Sequence, residues 1–153
     1  AETDTEEQLR AQLKRLLESR KMTEQEAECI RIRDIRRFVE SGLGQRMKKA
    51  AMKKHLYREQ PFVIQRNASM LDDGWKNETV LVQGIIDAYF MEEEEIVLVD
   101  YKTDRVRRGQ EQKLIDLYHV QLEDYARALE RMTGKRVKEK IIYSFTLQKE
   151  ILL

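Results

Sequence analysis

The chain has 153 residues, 41% of them hydrophobic and 37% charged, with a formal net charge of +1. That length suits one domain with a real core rather than two, and near-neutrality offers no global basic field for nucleic acid, so any such surface must come from local clustering. The single cysteine, Cys29, excludes an internal disulfide, a zinc knuckle or an iron–sulfur ligand set and points to a reducing compartment.

Residues 1–20 are too polar for a signal peptide, and no apolar run approaches the roughly 20 residues that span a bilayer. A cytoplasmic protein without membrane contact is expected. The chain opens at Ala1 and stops after Ile151-Leu152-Leu153, which gives the expectation of a domain cut from something larger.

In chain order, Leu9, Leu13, Leu16 and Leu17 recur at helical spacing. Thr23 with Glu26 fits a capping box for a second helix, whose pattern of Ile30, Ile35, Phe38 and Val39 runs until Ser41-Gly42 interrupts it. A third helix is predicted over about 44–55, with His55 on it. Residues 1–56 thus form a helical segment packed on a core of residues 57–153. Residues 57–64 read as a strand that Pro61 confines to an edge or a bulge, and 67–78 as a loop. Residues 79–90 and 96–101 are apolar on both faces, as buried central strands are. A long helix is predicted over 111–132, with Leu114, Tyr118, Leu122, Tyr125 and Leu129 as its buried stripe and Gly134 as its cap. Residues 137–145 return to strand character, with 148–153 pairing beside them. The expected fold is α/β, a mixed central sheet flanked by helices.

Chemistry concentrates on the two central strands. If they form a hairpin with Asp87 across from Asp100, the turn centres on Glu93-Glu94, in the middle of the polar run. Strand alternation then puts Lys102 on the face of Asp100 and Tyr101 on the other. Like charges opposed within apolar strands are destabilising. A divalent cation removes the conflict, because hard carboxylate oxygens are what Mg²⁺ binds, and the backbone carbonyl of Tyr101 is placed to add a ligand. Such an ion activates water and polarises a phosphoryl group, and Lys102 can stabilise the developing charge. The plain alternative is an Asp100–Lys102 salt bridge with Asp87 solvated at a strand end.

These residues resemble the RecB-type branch of the PD-(D/E)xK nucleases, with its restriction-endonuclease-like core. The blocks that carry the resemblance are Gly84-Ile85-Ile86-Asp87, Val99-Asp100-Tyr101-Lys102-Thr103-Asp104, and Gln121-Leu122 with Tyr125. Arg58-Glu59-Gln60-Pro61-Phe62, Ile142-Tyr143-Ser144-Phe145 and the stretch from Met22 to Gly44 are similar to the C-terminal nuclease domains of AddA-type subunits of AddAB (RexAB-type) helicase–nucleases. The resemblance implies that Asp87 and Asp100 bind Mg²⁺, with Mn²⁺ able to substitute, that Lys102 is catalytic, and that Gln121 and Tyr125 border the site. It also implies an exonuclease acting on single-stranded DNA delivered by ATP-driven helicase domains, with an AddB-type second subunit, in double-strand-break repair in the bacterial cytoplasm. One departure stands out. The family places a Gly-Thr…His motif on an upstream helix, and residues 1–56 hold none; His55, in Lys-Lys-His-Leu, does not match. The expectation is a fragment starting just after that motif, one that binds metal weakly and cleaves poorly alone.

Beyond the motif, Arg105, Arg107, Arg108 and Lys113 gather positive charge after the catalytic strand and can hold phosphates without reading bases. The lysines at 48, 49, 53 and 54 read as helix surface. Glu59 is either a third carboxylate or an exposed edge residue, Trp75 either a base-stacking or a covering residue, and His119 either a substrate contact or an exposed helical histidine. Asp104 either contacts water or caps the turn. The competing function is a non-catalytic DNA-binding or assembly module that keeps the fold, with an RNA-cleaving member of the fold as a third reading.

Overall fold

A computed structural model describes residues 5–18, 24–67 and 79–153, without the side chains of 24–31 and 67. Thr23, Trp75, most of the expected 67–78 loop and the Cys29 side chain therefore lie outside the described residues. The elements run α1 (Glu6–Glu18), α2 (Glu24–Glu40), α3 (Gly42–Met52), β1 (Leu56–Asn67), β2 (Thr79–Glu92), β3 (Glu95–Lys102), α4 (Glu111–Thr133), β4 (Val137–Ser144) and β5 (Lys149–Leu152). The five strands lie side by side in chain order. All neighbours are antiparallel except β3 and β4, which run parallel because α4 carries the chain back across the sheet. The α/β class with a mixed sheet is as expected.

Helices cover both faces. Leu9, Leu13 and Leu17 of α1, Phe38 of α2 and Leu43 and Met47 of α3 pack on Ala88, Phe90, Val97, Val99 and Tyr101. On the other face Leu114, Leu122 and Leu129 of α4 pack on Phe62, Ile86, Tyr89, Ile96, Leu98 and Ile142. β3 is sandwiched between these layers, which is why its sequence is apolar on both sides. Pro61 sits on β1, an edge strand, where a missing N–H costs no ladder bond. Gly134 ends α4 in the left-handed region (φ 68°), its N–H bonded to the Glu130 carbonyl.

Two local expectations are corrected. Ser41-Gly42 does not merely break a helix: the Ser41 hydroxyl accepts the Gly44 N–H at 3.1 Å and so starts α3 two residues earlier than predicted. The helix also stops at Met52, leaving His55 in the connection to β1, where its carbonyl accepts the Met91 N–H.

Candidate active site

β2 and β3 form a hairpin whose turn, Glu93-Glu94, holds both residues in the left-handed region (φ 50° and 68°), the pattern that matches strand twist in a two-residue connection. Glu92 faces Glu95, and the ladder continues to Ala88 opposite Val99. This is the register expected from the sequence. One step further along lie Asp87 and Asp100, and there the ladder stops. Asp87 instead accepts the backbone N–H of Tyr101 on Oδ2 at 2.9 Å, and its own carbonyl accepts Gln12 Nε2 from α1 at 2.8 Å.

The Asp87 carboxyl is perturbed by its surroundings. Burial pushes the Asp87 carboxyl up to about 7; the adjacent Asp100 charge adds to this, while the Tyr101 N–H and Lys102 oppose it. Asp100 is 4% exposed. Lys102 Nζ approaches its Oδ2 to 2.9 Å, yet that oxygen has no aligned hydrogen bond from any described residue. The ammonium thus offsets charge without occupying the oxygen's lone pairs. A buried carboxylate and a half-buried one thus lie near a single cation that, of the two, contacts only Asp100.

α4 supplies the other wall. Gln121 Oε1 accepts Lys102 Nζ at 3.2 Å. Tyr125 is buried with its ring 5.0 Å from Phe62 in an edge-on contact. Gly84, opposite Phe62 on β2, leaves room for that ring, since a Cβ there would sit 3.0 Å from it. Burial raises the Tyr125 phenol to about 12, with the charges of Asp100 and Asp87 adding to it. Tyr101 turns its ring away from the site, against Phe38 at 5.6 Å.

An unsatisfied, buried carboxylate oxygen beside a second carboxylate is a donor set for a hard divalent cation. Among the described residues no third His, Cys, Asp or Glu joins the pair, so further ligands would have to be backbone carbonyls, water or substrate oxygens. Arg105, Arg107, Arg108 and Lys113 are exposed, and no ion pair among the described residues occupies them. They follow the site strand directly, in a loop held where Thr146 Oγ1 donates to the Asp104 carbonyl at 2.7 Å.

Other candidates go elsewhere. Glu59 is exposed and pairs with Arg15 at 2.7 Å and Arg58 at 3.4 Å. His119 is exposed, its Nδ1 within 3.1 Å of the Ile115 carbonyl. Asp104 accepts the Tyr118 hydroxyl at 2.7 Å. Helical spacing predicts Tyr118 in the buried stripe of α4; it is only half-buried, and its ring lies 3.9 Å from Lys102 Nζ. Sequence reasoning misses it as a site residue, although its spacing of three from Gln121, which puts both on one helix face, is an available signal. Gln12 is missed too. A polar residue inside the leucine stripe of α1 marks it.

A sequence profile of the PD-(D/E)XK nuclease superfamily matches residues 1–151. Among curated proteins, the ATP-dependent helicase/nuclease A-subunit of Clostridium novyi is 38% identical over 152 residues, covering 96% of this chain and 12% of that protein. The proteins of the same name from Thermoanaerobacter sp. (strain X514) and Acetivibrio thermocellus are 41% and 43% identical, over 91% of this chain and 11% of each relative. The chain spans about an eighth of the length of these relatives. The profile match runs almost from end to end and makes sense of an acidic pair that would otherwise burden the sheet: the chain belongs to the PD-(D/E)XK nuclease superfamily.

Proposed function

We propose that this chain is the metal-dependent nuclease domain of a bacterial helicase–nuclease and hydrolyses DNA phosphodiesters as an exonuclease on single strands. The observation that carries the reading is the pairing of Asp87, its carboxyl raised by burial and by the Asp100 charge, with a buried Asp100 that Lys102 contacts at 2.9 Å. The names of the relatives support a longer chain with ATP-driven helicase domains. By the family resemblance it works with an AddB-type second subunit in the cytoplasm, in double-strand-break end processing and recombinational repair.

Asp87 and Asp100, with the Tyr101 carbonyl, would hold Mg²⁺, and Mn²⁺ could substitute. When bound, the ion supplies Lewis-acid polarisation of the phosphate and a lowered pKa for the attacking water. Asp87 must give up its proton for this, which its raised pKa makes the more demanding step near neutrality. Lys102, oriented by Gln121, faces charge developing on the phosphoryl oxygens. Tyr125 fixes the helix face behind Gln121 through Phe62. Arg105, Arg107, Arg108 and Lys113 grip the strand's phosphates without selecting bases.

Labelled single-stranded DNA incubated with the chain and Mg²⁺ or Mn²⁺ tests this, with Asp100→Ala as control. Cleavage that disappears in the variant is the expected result; cleavage unchanged in Asp100→Ala would overturn it. A second reading, a DNA-binding module without catalysis, is favoured by the lack of a third acidic or imidazole ligand among the described residues. DNA binding without cleavage under either metal, even when the upstream segment is restored, would select it, and the same assay with RNA separates an RNA-cleaving member of the fold.

A further inference from the structure

Tyr118 touches two different parts of the site with its two ends. Its ring centroid lies 3.9 Å from Lys102 Nζ, the same ammonium that contacts Asp100 at 2.9 Å and Gln121 at 3.2 Å. The negative face of an aromatic ring attracts such a cation and still leaves its N–H groups free for oxygen acceptors. Its hydroxyl donates to Asp104 Oδ2 at 2.7 Å, and the Asp104 carbonyl is in turn held by Thr146. Arg105, Arg107 and Arg108 follow directly, so this bond ties the basic loop to α4. The phenol stays protonated: its bond to Asp104, then burial and the Asp104 and Asp100 charges, push it up to about 12. A residue that only filled the core would be as buried as Leu114 or Leu122, which are 0% exposed, and Tyr118 is not.

We infer that Tyr118 is a positioning residue with two separable duties: its ring holds the Lys102 ammonium at the carboxylate pair, and its hydroxyl fixes the loop that grips DNA. The consequence for cleavage rests on the nuclease reading above; the geometry stands apart from it. Losing the ring and losing the hydroxyl should therefore damage different kinetic constants.

Single-turnover cleavage of labelled single-stranded DNA is measured against protein concentration for Tyr118→Phe, Tyr118→Leu and Asp104→Ala. Tyr118→Phe and Asp104→Ala are expected to keep the maximal rate within about twofold while the half-saturating concentration rises severalfold. Tyr118→Leu is expected to lose at least about tenfold in maximal rate. A wild-type maximal rate in Tyr118→Leu, or equal losses of rate in Tyr118→Phe and Tyr118→Leu, would overturn the inference.

A second readout needs no turnover and also shows whether Tyr118→Leu has merely failed to fold. The Lys102 Cε–Hε NMR signal, assigned by its loss in Lys102→Met, should be ring-shifted upfield in wild type and Tyr118→Phe and return to the ordinary lysine position in Tyr118→Leu, with the other lysine signals unmoved. An unshifted wild-type signal refutes the inference even in an active enzyme. A shifted signal with no cleavage, even when the upstream segment is restored, refutes the nuclease reading and leaves the positioning role supported.

Discussion

The β2–β3 hairpin carries a charged cluster at each end, and the two are built on opposite terms. At the turn end Arg46 donates to Glu92 through Nε at 3.0 Å and Nη2 at 2.7 Å and reaches Glu139 at 2.8 Å, while Lys138 lies 3.2 Å from Glu92. Each of these four charges meets an opposite. Hydrogen bonding to Arg46 holds the Glu92 carboxyl below its usual range, and the same bonds raise Arg46. At the other end Lys102 pairs with Asp100 alone, an Asp100 oxygen is left without a hydrogen bond among the described residues, and the Asp87 carboxyl is driven upward. A cleft of about 610 Å³ lined by Arg46, Lys53, His55 and Glu92–Glu94 opens at the balanced end. What marks the candidate site is unresolved charge, not the amount of charge.

The contrast can be broken by swapping lesions between the ends. Asp100→Ala should abolish DNA cleavage, by at least about a hundredfold, whereas Arg46→Ala should leave the rate within severalfold; comparable losses from both would erase the distinction. Next in size, replacing Arg105, Arg107, Arg108 and Lys113 by Gln should weaken single-stranded DNA binding roughly tenfold and flatten its log–log salt dependence by up to about 3, at about 0.7 for each phosphate that is no longer neutralised. Anisotropy titrations across salt concentrations read both.

Stability should respond in the opposite sense. Arg46→Ala strips Glu139 of its donor and leaves Glu92 only Lys138, and should cost about 1–2 kcal/mol in urea unfolding, while Asp100→Asn in the absence of metal should cost less or stabilise, because it relieves a like-charge pair. The smallest effect is on pH. The Asp87 carboxyl is raised in the folded chain above its unfolded value, so its contribution is fully present below about pH 4 and is lost as pH rises through about 7. Metal-free unfolding curves of wild type and Asp87→Asn should therefore diverge in favour of the variant over that window. Parallel curves would mean that Asp87 is not strained by its neighbour.

Much of this is readable in the residue order because several constraints coincide. The acidic run at 92–95 has to be a turn, the strands beside it are apolar on both faces, and the register that satisfies the turn also brings Asp87 to Asp100. Gln121 is legible because a polar residue borders the apolar stripe of α4. Less visible is anything that depends on where a long side chain ends. Tyr118 fits a buried stripe by spacing, and only its path toward Lys102 and Asp104 reveals another use. Gln12 reaches a backbone carbonyl on a strand 75 residues away, a reach that no local pattern encodes. Ser41 reads as a break because the residues that interrupt one helix are also those that cap the next.

The two-residue connection at Glu93-Glu94 acts as a ruler for the carboxylate pair. It lies six residues from each aspartate, or roughly 20 Å along the strands, and nothing between lets the ladder slip. One amino acid inserted in that bend would shift the pairing by a single step, sending one carboxyl group to the helix α3 side and leaving its partner behind. The chemistry of this domain is therefore hostage to the length of a solvent-exposed bend that touches no reacting atom.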